Sequence, residues 1–367
     1  LQTAALFLFN CLQLFASSDR GPNVLFIAID DLRLQSPLYG QNQMKTPGLE
    51  RLAADSVVFS RAYCSVPVCG ASRTSLMAGA RPTASRFWNY YARKDKDLPE
   101  VPSIAMWFKQ HGYSTKATGK IYHFPDDDEA AWSEGVWARP NMGMGWQGYL
   151  KPESLAMIEA NRSKDNPHQV IGPATEDADV PDNAYHDGAL AEKAISELER
   201  FAKSGEMFFL AVGFWKPHLP FNAPKKYWDL YTEEELSLAD NPFKPKDAPD
   251  AAMHDWGELR NMYGDTPKSG PVSDELARRL IHGYFACVSY IDAQINKLLD
   301  ALEETGLAEN TIIVLWGDHG FHLGEHGLWC KQANFDRTMN APLIVKAPGI
   351  KGGVQTTAVS EFIDIYP

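Results

Sequence analysis

Short apolar runs alternate with helical patterns along most of the chain, and the runs end in polar clusters. Val24 to Ile29, Met207 to Phe214 and Thr311 to Trp316 are continuous apolar runs, which are typical of strands buried on both faces of a parallel sheet. Shorter strands are predicted at 57–59, in the run that enters Gly119, and at 343–345. This alternation predicts an α/β fold in which a mostly parallel central sheet is covered by helices on both faces.

Apolar residues at spacings of three and four predict two long amphipathic helices, one from Asn183 to Phe201 and one from about Asp274 to Glu304. Shorter helices are predicted at 46–55 and 103–110. Two irregular stretches, Phe124 to Pro181 and Asn222 to Pro271, are rich in proline and acidic residues. We expect these stretches to be insertions that form walls of a site rather than separate domains.

The composition excludes two broad classes of protein. Hydrophobic residues make up 44% of the 367 positions, enough for a sizeable core, so a mostly disordered chain is excluded. Lys and Arg number 35 against 47 Asp and Glu, which gives a net charge of −12. Because so acidic a chain is poorly suited to binding a phosphate backbone, we do not expect nucleic acid as a partner.

The ends of the sequence carry their own signals. The first 18 residues are uncharged and contain an apolar run from Ala4 to Phe15, too short to span a bilayer but right for a signal-peptide core. We therefore expect 1–18 to be part of a signal peptide, with a buried N-terminal helix as the alternative. The protein is then expected to be exported, to the periplasm or the cell exterior, or to the lysosome in a eukaryote. We expect no membrane span. The apolar segment ending at Pro367 leads us to expect truncation there.

Five cysteines, far apart and without a Cys-x-x-Cys pair, support neither a disulfide scaffold nor a zinc knuckle. Cys64, Cys287 and Cys330 are predicted to be small buried apolar residues. Cys69 differs because it opens a predicted helix and has Arg73 four positions later, an arrangement that favours anions. The alternative for Cys69 is a buried thiol beside a capping serine.

Polar residues directly follow the predicted strands. They are Asp30, Asp31, Lys120, His218, Asp318 and His319. Because the carboxyl ends of parallel strands share one edge of the sheet, where α/β folds build their sites, we expect these side chains to lie together. Carboxylates so near one another would repel, and a hard divalent cation such as calcium or magnesium bound between them would offset that repulsion. An Asp-Asp pair after a strand is, by itself, more often a helix cap or a solvated turn, and it is the second occurrence, at Asp318-His319-Gly320, that favours a metal site.

The segment Cys69-Gly70-Ala71-Ser72-Arg73 resembles the sulfatase signature Cys-x-Pro/Ala-x-Arg, in which the cysteine is oxidised to formylglycine. Further sulfatase-like motifs follow the same order along the chain, at 30–31, 119–123, 216–221 and 318–327, and then at Lys331. Over 22–367 the sequence is similar to the iduronate-2-sulfatase branch of the family, within the alkaline-phosphatase-like superfamily. The resemblance implies a sulfatase catalytic domain at 22–367 whose smaller C-terminal subdomain is missing.

The resemblance also implies a set of ligands and catalytic roles. One calcium ion would be held by Asp30, Asp31, Asp318, His319 and modified Cys69, with His319 the least secure ligand because calcium prefers oxygen. The hydrate of formylglycine at Cys69 would attack sulfur. Arg73 would orient that hydrate, Lys120 and Lys331 would hold sulfuryl oxygens, His218 would protonate the leaving oxygen, and His123 would act as the base.

The function implied is hydrolysis of a sulfate ester on a carbohydrate, such as a 2-O-sulfated uronate or a related polysaccharide unit, after maturation by a formylglycine-generating enzyme. Two alternatives stay open: a phosphomonoesterase or phosphonate hydrolase on the same fold, and a protein that binds sulfated glycans with Cys69 unmodified. We further expect His322, His326 and Trp329 near the mouth of the pocket.

Overall fold

The computed structural model describes residues 21–138, 147–163, 166, 169–254 and 257–366. The predicted signal peptide at 1–18 lies outside the described residues, and so does Pro367. Within the described ranges, no helix combines the length and the apolar character needed to cross a membrane.

A seven-stranded sheet forms the centre of the fold. The strands are β1 (Asn23–Ile29), β2 (Val57–Phe59), β3 (Ala62–Tyr63), β4 (Ser114–Gly119), β5 (Thr175–Glu176), β6 (Phe208–Phe214), β7 (Phe221–Asn222), β8 (Thr311–Gly317), β9 (His322–Leu323), β10 (Trp329–Cys330), β11 (Leu343–Lys346), β12 (Val354–Thr356) and β13 (Ser360–Glu361). The order across the large sheet is β12-β2-β11-β8-β1-β6-β4, and its strands run parallel except at β11, which is antiparallel to both neighbours. The predicted mostly parallel sheet is confirmed.

Helices lie on both faces of this sheet. They are α1 (Pro47–Ala54), α2 (Cys69–Ala78), α3 (Lys94–Asp97), α4 (Ile104–Gln110), α5 (Pro152–Ala160), α6 (His186–Ser204), α7 (Lys225–Trp228), α8 (Gly257–Met262), α9 (Asp274–Glu304) and α10 (Asp336–Met339). Alternate residues of β1 separate the two layers: Leu25 and Ile27 pack in one core with α6 and α9, whereas Phe26 packs in the other with α2 and α4.

The long helices agree with their sequence patterns, with one shift. Helix α9 has the predicted bounds, Asp274–Glu304. Helix α6 begins three residues later than predicted, at His186, because Asp182–Ala184 form a separate 3-10 turn and Tyr185 is extended. It continues to Ser204 and ends at Gly205, whose left-handed φ of 69° closes the last turn. Cys64, Cys287 and Cys330 are buried free thiols, as predicted.

Candidate active site

The carboxyl ends of four adjacent strands, in the order β8-β1-β6-β4, lie level with one another. Ile29 pairs with Phe214 and with Gly317, and Gly119 pairs with Gly213, so all four strands stop at one edge. Gly213 permits the closest approach there, since a Cβ on it would lie 2.1 Å from the carbonyl oxygen of Lys120. This register confirms that the polar residues following these strands meet at a single edge.

Three carboxylates from β1 and β8 meet at this edge without any contact with solvent. Asp30, Asp31 and Asp318 are each 0% exposed. Asp31 adopts a left-handed φ of 60°, a conformation that aspartate tolerates better than most residues. Its backbone N–H donates to Oδ1 of Asp318 over 3.0 Å, which fixes the two strand ends relative to each other.

Cations from two separate segments, Arg73 and Lys120, face Asp30 and Asp318. Nε of Arg73 lies 2.8 Å from Oδ2 of Asp318, its Nη2 lies 3.4 Å from Oδ1 of Asp30, and Nζ of Lys120 pairs with Asp30. Burial alone would raise the pKa of Asp30, but Lys120 and Arg73 hold that pKa well below its usual range. Arg73 also donates hydrogen bonds to the carbonyl oxygens of Lys120 and Ile121, so it connects the segment after β4 to the carboxylates that follow β1 and β8.

Asp31 has a less favourable environment than Asp30. Nζ of Lys331 lies 2.9 Å from its Oδ2, yet burial raises the pKa of Asp31 well above its usual range, and the charges of Asp30, Glu258 and Asp318 raise it further. The negative charge around Asp31 is therefore only partly compensated by the protein itself. A divalent cation at this point would stabilise the ionised carboxylate.

Cys69 is the first residue of helix α2, and its Sγ lies 3.2 Å from Nε2 of His319. Burial, followed by the charge of Asp30, raises the pKa of the Cys69 thiol well above its usual range, so an unmodified thiol stays protonated and is a poor nucleophile. Nδ1 of His319 lies 2.9 Å from the carbonyl oxygen of Gly320. With its proton on Nδ1, His319 directs the lone pair of Nε2 into the carboxylate cluster, as metal-binding histidines do.

These side chains fit a single metal ion. Donor atoms of Asp30, Asp31, Cys69 and His319 all lie within 4.8 Å of one another. Ligands on opposite sides of a calcium ion are about 4.6–5.2 Å apart, since each bond is about 2.3–2.6 Å long. The predicted ligand His319 is thus better placed than its chemistry alone indicates. The predicted ligand Asp318 is not part of this cluster; its carboxylate contacts the Asp31 amide and Arg73 and lies 3.6 Å from Nε2 of His319.

Cys69 opens into a cavity of about 540 Å³, within the range of about 300–1,000 Å³ typical of small-molecule sites. The cavity is lined by Val68, Cys69, Tyr90, Lys120, His123, Trp215, His218, Gly257, Glu258, Met262, Lys331 and Gln332. A cavity of about 580 Å³ beside Arg81 and Glu361 contains none of the predicted site residues in its wall. Of the predicted site residues, Cys69, Lys120, His123, His218 and Lys331 line the Cys69 cavity, whereas Asp30, Asp31, Arg73, Asp318 and His319 are not in its described wall.

Two histidines face this cavity. Burial and the charge of Lys120 lower the pKa of His123 to about 3, and its Nδ1 has no hydrogen-bond partner among the described residues, so the ring is neutral and free to accept a proton. Nδ1 of His218 lies 2.6 Å from the Leu219 carbonyl oxygen, and its Nε2 lies 3.1 Å from Oε1 of Glu258. Burial and the charge of Lys331 lower the pKa of His218 to about 3, although Glu258 raises it, so the ring is neutral near pH 7.

Glu258 is a site residue that sequence reasoning missed. Its Oε1 lies 3.1 Å from both His218 and Lys331, at 9% side-chain exposure. It belongs to helix α8, inside the irregular stretch Asn222 to Pro271, where neither a preceding strand nor a motif distinguishes it from other acidic residues.

His322, His326 and Trp329, expected near the mouth of the pocket, are not among the described residues that line the Cys69 cavity. His322 is completely buried, because the antiparallel pairing of β9 with β10 places it opposite Cys330 in the protein interior.

Comparison with known proteins agrees with this geometry. The family model described as Sulfatase matches residues 22–367. Iduronate 2-sulfatase of Homo sapiens is 34% identical over 339 residues, a match that covers 89% of this chain and 60% of that protein. The chain spans about 60% of the length of the curated iduronate 2-sulfatases that it matches.

Solved structures share the fold. The phosphonate monoester hydrolase of Agrobacterium radiobacter superposes with a TM-score of 0.71 at 22% identity, over 94% of this chain and 72% of that one. A protein solved in complex with its substrate D-glucosamine-2-N,6-O-disulfate gives a TM-score of 0.71 at 21% identity, over 95% and 76%. Since the family model spans nearly every described residue and the human relative exceeds 30% identity over most of this chain, the chain belongs to the sulfatase family.

Proposed function

We propose that the protein hydrolyses sulfate esters on a carbohydrate, with Cys69 converted to formylglycine and one calcium ion bound beside it. The observation that supports this most directly is the position of Cys69. It lies at a helix N-terminus, within the Asp30, Asp31 and His319 donor cluster, and in the wall of a cavity that also holds two lysines and two histidines.

The nucleophile follows from the environment of Cys69. A buried thiol with a raised pKa cannot attack sulfur well, and it offers no second oxygen from which sulfate could be expelled. The hydrate of formylglycine carries two hydroxyls on one carbon, so one can attack sulfur and the other can lose a proton to expel sulfate. Bound calcium would lower the pKa of that hydrate and polarise a sulfate oxygen.

The remaining cavity residues match the other needs of the reaction. Nζ of Lys120 and Nζ of Lys331 line the cavity and offer positive charge to the sulfuryl oxygens. His218 lines the cavity and is held by the Leu219 carbonyl and by Glu258, whose carboxylate stabilises the protonated ring, so it is placed to deliver a proton to the leaving oxygen. His123 lines the same cavity, and its Nδ1 has no hydrogen-bond partner among the described residues, so it is placed to accept the proton of the second hydroxyl.

A carbohydrate is the substrate class that the relatives favour. The human relative is named for iduronate 2-sulfate, and one structural neighbour was solved with a sulfated glucosamine as its substrate. A 2-O-sulfated uronate is therefore our specific candidate. We retain export from the cytoplasm as part of this proposal, because enzymes acting on polysaccharides meet their substrates outside it.

The test begins with the state of residue 69. The full chain, co-expressed with a formylglycine-generating enzyme, should show mass-spectrometric conversion of the 61–73 peptide and calcium-dependent hydrolysis of 4-nitrocatechol sulfate. Cys69→Ser, which cannot be converted in the same way, should lose activity by at least about 100-fold, as expected on losing a covalent nucleophile. Fully converted protein without activity on any sulfate ester would refute the proposal.

The phosphonate monoester hydrolase that shares this fold supports a second candidate, hydrolysis of phosphate or phosphonate esters. Paired assays on aryl sulfate, aryl phosphate and an aryl phosphonate monoester distinguish the candidates. Sulfatase function requires kcat/KM to be highest on the sulfate. Retention of the thiol in material that binds sulfated saccharides without turnover would instead favour a glycan-binding protein.

A further inference from the structure

The exposed aromatic side chains of the described residues are unevenly distributed. Three large aromatic side chains exceed 50% exposure: Trp88 at 59%, Tyr91 at 63% and Phe243 at 65%. Two of the three, Trp88 and Tyr91, lie three positions apart on the segment 87–93, which follows helix α2 in the chain. Exposed aromatic side chains grouped in this way often mark a binding surface.

This segment is fixed rigidly beside the nucleophile. Phe87, Ala92 and Leu98 are buried in a small core with Ala71 and Ala78 of helix α2. Gly70, the residue next to Cys69, lies directly under Tyr90, because a Cβ on Gly70 would come within 2.3 Å of the Tyr90 carbonyl oxygen. The buried residues thus account for the packing of the segment, and they leave Trp88 and Tyr91 facing solvent.

A continuous aromatic surface leads from the Cys69 cavity to this exposed face. Tyr90 lines the cavity, where its ring meets the His123 ring edge-on with 5.9 Å between centroids. On its other side, the Tyr90 ring lies 3.9 Å from the Tyr91 ring, centroid to centroid, and the two hydroxyls are hydrogen-bonded. Tyr90 and Tyr91 therefore extend the wall of the cavity outward to the protein surface.

From this arrangement we infer that Tyr90 and Tyr91, with Trp88 beside them in sequence, form a second saccharide subsite outside the sulfate pocket. Its occupant is the sugar residue linked to the sulfated one, so the substrate is an oligosaccharide chain rather than a lone sulfated monosaccharide. The inference rests on the proposed function. The face of a sugar ring presents C–H groups that pack on an aromatic ring, while tyrosine hydroxyls can bond the ring's hydroxyl groups.

The charges near this surface favour a sugar over a membrane. Arg93, the basic residue at the end of the segment, is paired with Asp95 and Asp126 at 3.0 Å each. Its positive charge is thus neutralised locally, which removes the attraction that a polybasic segment has for an anionic lipid surface. An uncharged aromatic surface continuous with a sulfate pocket suits a sugar chain whose sulfate group is held elsewhere.

The test measures binding separately from turnover. Cys69→Ala protein, which cannot turn over substrate through formylglycine, is titrated calorimetrically with a heparin-derived disaccharide and a tetrasaccharide. We expect the tetrasaccharide to bind roughly 3- to 10-fold more tightly, the effect of one aromatic contact. Tyr91→Ala should remove most of this preference, and Tyr91→Phe should retain most of it because the ring is kept.

Phe243→Ala is the matched control, since Phe243 is equally exposed but is not in the described wall of the cavity. It should leave the length preference intact. Equal affinity for the two lengths, no binding of either, or a preference that survives Tyr91→Ala would overturn the inference. Hydrolysis of 4-nitrocatechol sulfate by converted wild-type protein tests the proposed sulfatase activity alone, so failure of the subsite and failure of the function are distinguished.

Discussion

Replacing Arg73 with methionine removes the cation that joins two carboxylates behind the cavity. The guanidinium lies 2.8 Å from Asp318 and 3.4 Å from Asp30, and all three side chains are 0% exposed. Breaking a buried ion pair by removing one partner costs about 3–5 kcal/mol, because the remaining charge stays buried without compensation. Asp30 retains Lys120, so the uncompensated charge falls mainly on Asp318.

The expected result is a loss of about 3–5 kcal/mol in the free energy of unfolding. With an unfolding entropy of about 2.1 cal/mol/K per residue, a chain of this length should then lose about 4–6 °C in Tm. Both quantities are measured in a calcium chelator, by urea titration and by thermal unfolding, so that a bound cation does not compensate for the missing guanidinium. Far-ultraviolet circular dichroism confirms that the variant is folded before unfolding begins.

Arg81→Met provides the control, since Arg81 pairs with Glu361 at the same 2.8 Å but with side chains that are 61% and 38% exposed. An exposed pair contributes about 0–1 kcal/mol, because water solvates the charge that is left. If the two variants lose equal stability, burial is not what makes the Arg73 contacts strong, and the reasoning is refuted.

Three further predictions concern charge at and near the site. Glu258→Gln should lower kcat on an alkyl sulfate about tenfold or more but much less on 4-nitrocatechol sulfate, because an activated leaving group needs no acid from His218. Equal losses on both substrates would contradict the role of Glu258 in supporting His218 as that acid. Calcium at about 100 times its Kd should add about 2.7 kcal/mol to the free energy of unfolding, and Asp31→Asn should abolish most of that gain in a calcium titration; a gain that persists would place the ion elsewhere. Glu325 is buried, which by itself would raise its pKa, but Arg33 lowers that pKa to about 2. The ionised Glu325 carboxylate therefore stabilises the fold above about pH 4.3, and this contribution is lost as the pH falls towards 2. Over that interval, the free energies of unfolding of wild type and Glu325→Gln should converge.

The sequence predicts well which residues meet at the carboxyl edge of the sheet, because each strand end combines a buried apolar run with a polar residue directly after it. Asp30 and Asp318 each follow an apolar run whose length and composition indicate a buried strand, and parallel strands must bring such residues to one edge. The structure confirms this placement, and the same reasoning holds for Lys120. The first turn of helix α2 was predictable from the short segment around Cys69.

Other parts of the site were not predictable, because they depend on tertiary packing without a local pattern. Glu258 comes from a short helix in an irregular stretch, and only the folded chain places it 3.1 Å from His218 and Lys331. His319 was underrated as a ligand because its chemistry alone disfavours calcium. The carbonyl oxygen of Gly320, 2.9 Å from Nδ1, directs its Nε2 towards the cluster, and the sequence does not reveal that contact.

The positions of the charged groups explain why the proposed calcium ion and the proposed formylglycine would suit the same site. Arg73 and Lys120 already compensate Asp30, whereas burial and neighbouring carboxylates keep the pKa of Asp31 raised despite Lys331. A divalent cation would complete the compensation at Asp31. The same burial that makes this cation favourable also keeps the Cys69 thiol protonated, so the environment that suits the metal disfavours a thiolate. An oxygen nucleophile at this position, beside a hard cation that Asp30, Asp31 and His319 would hold, would satisfy both constraints.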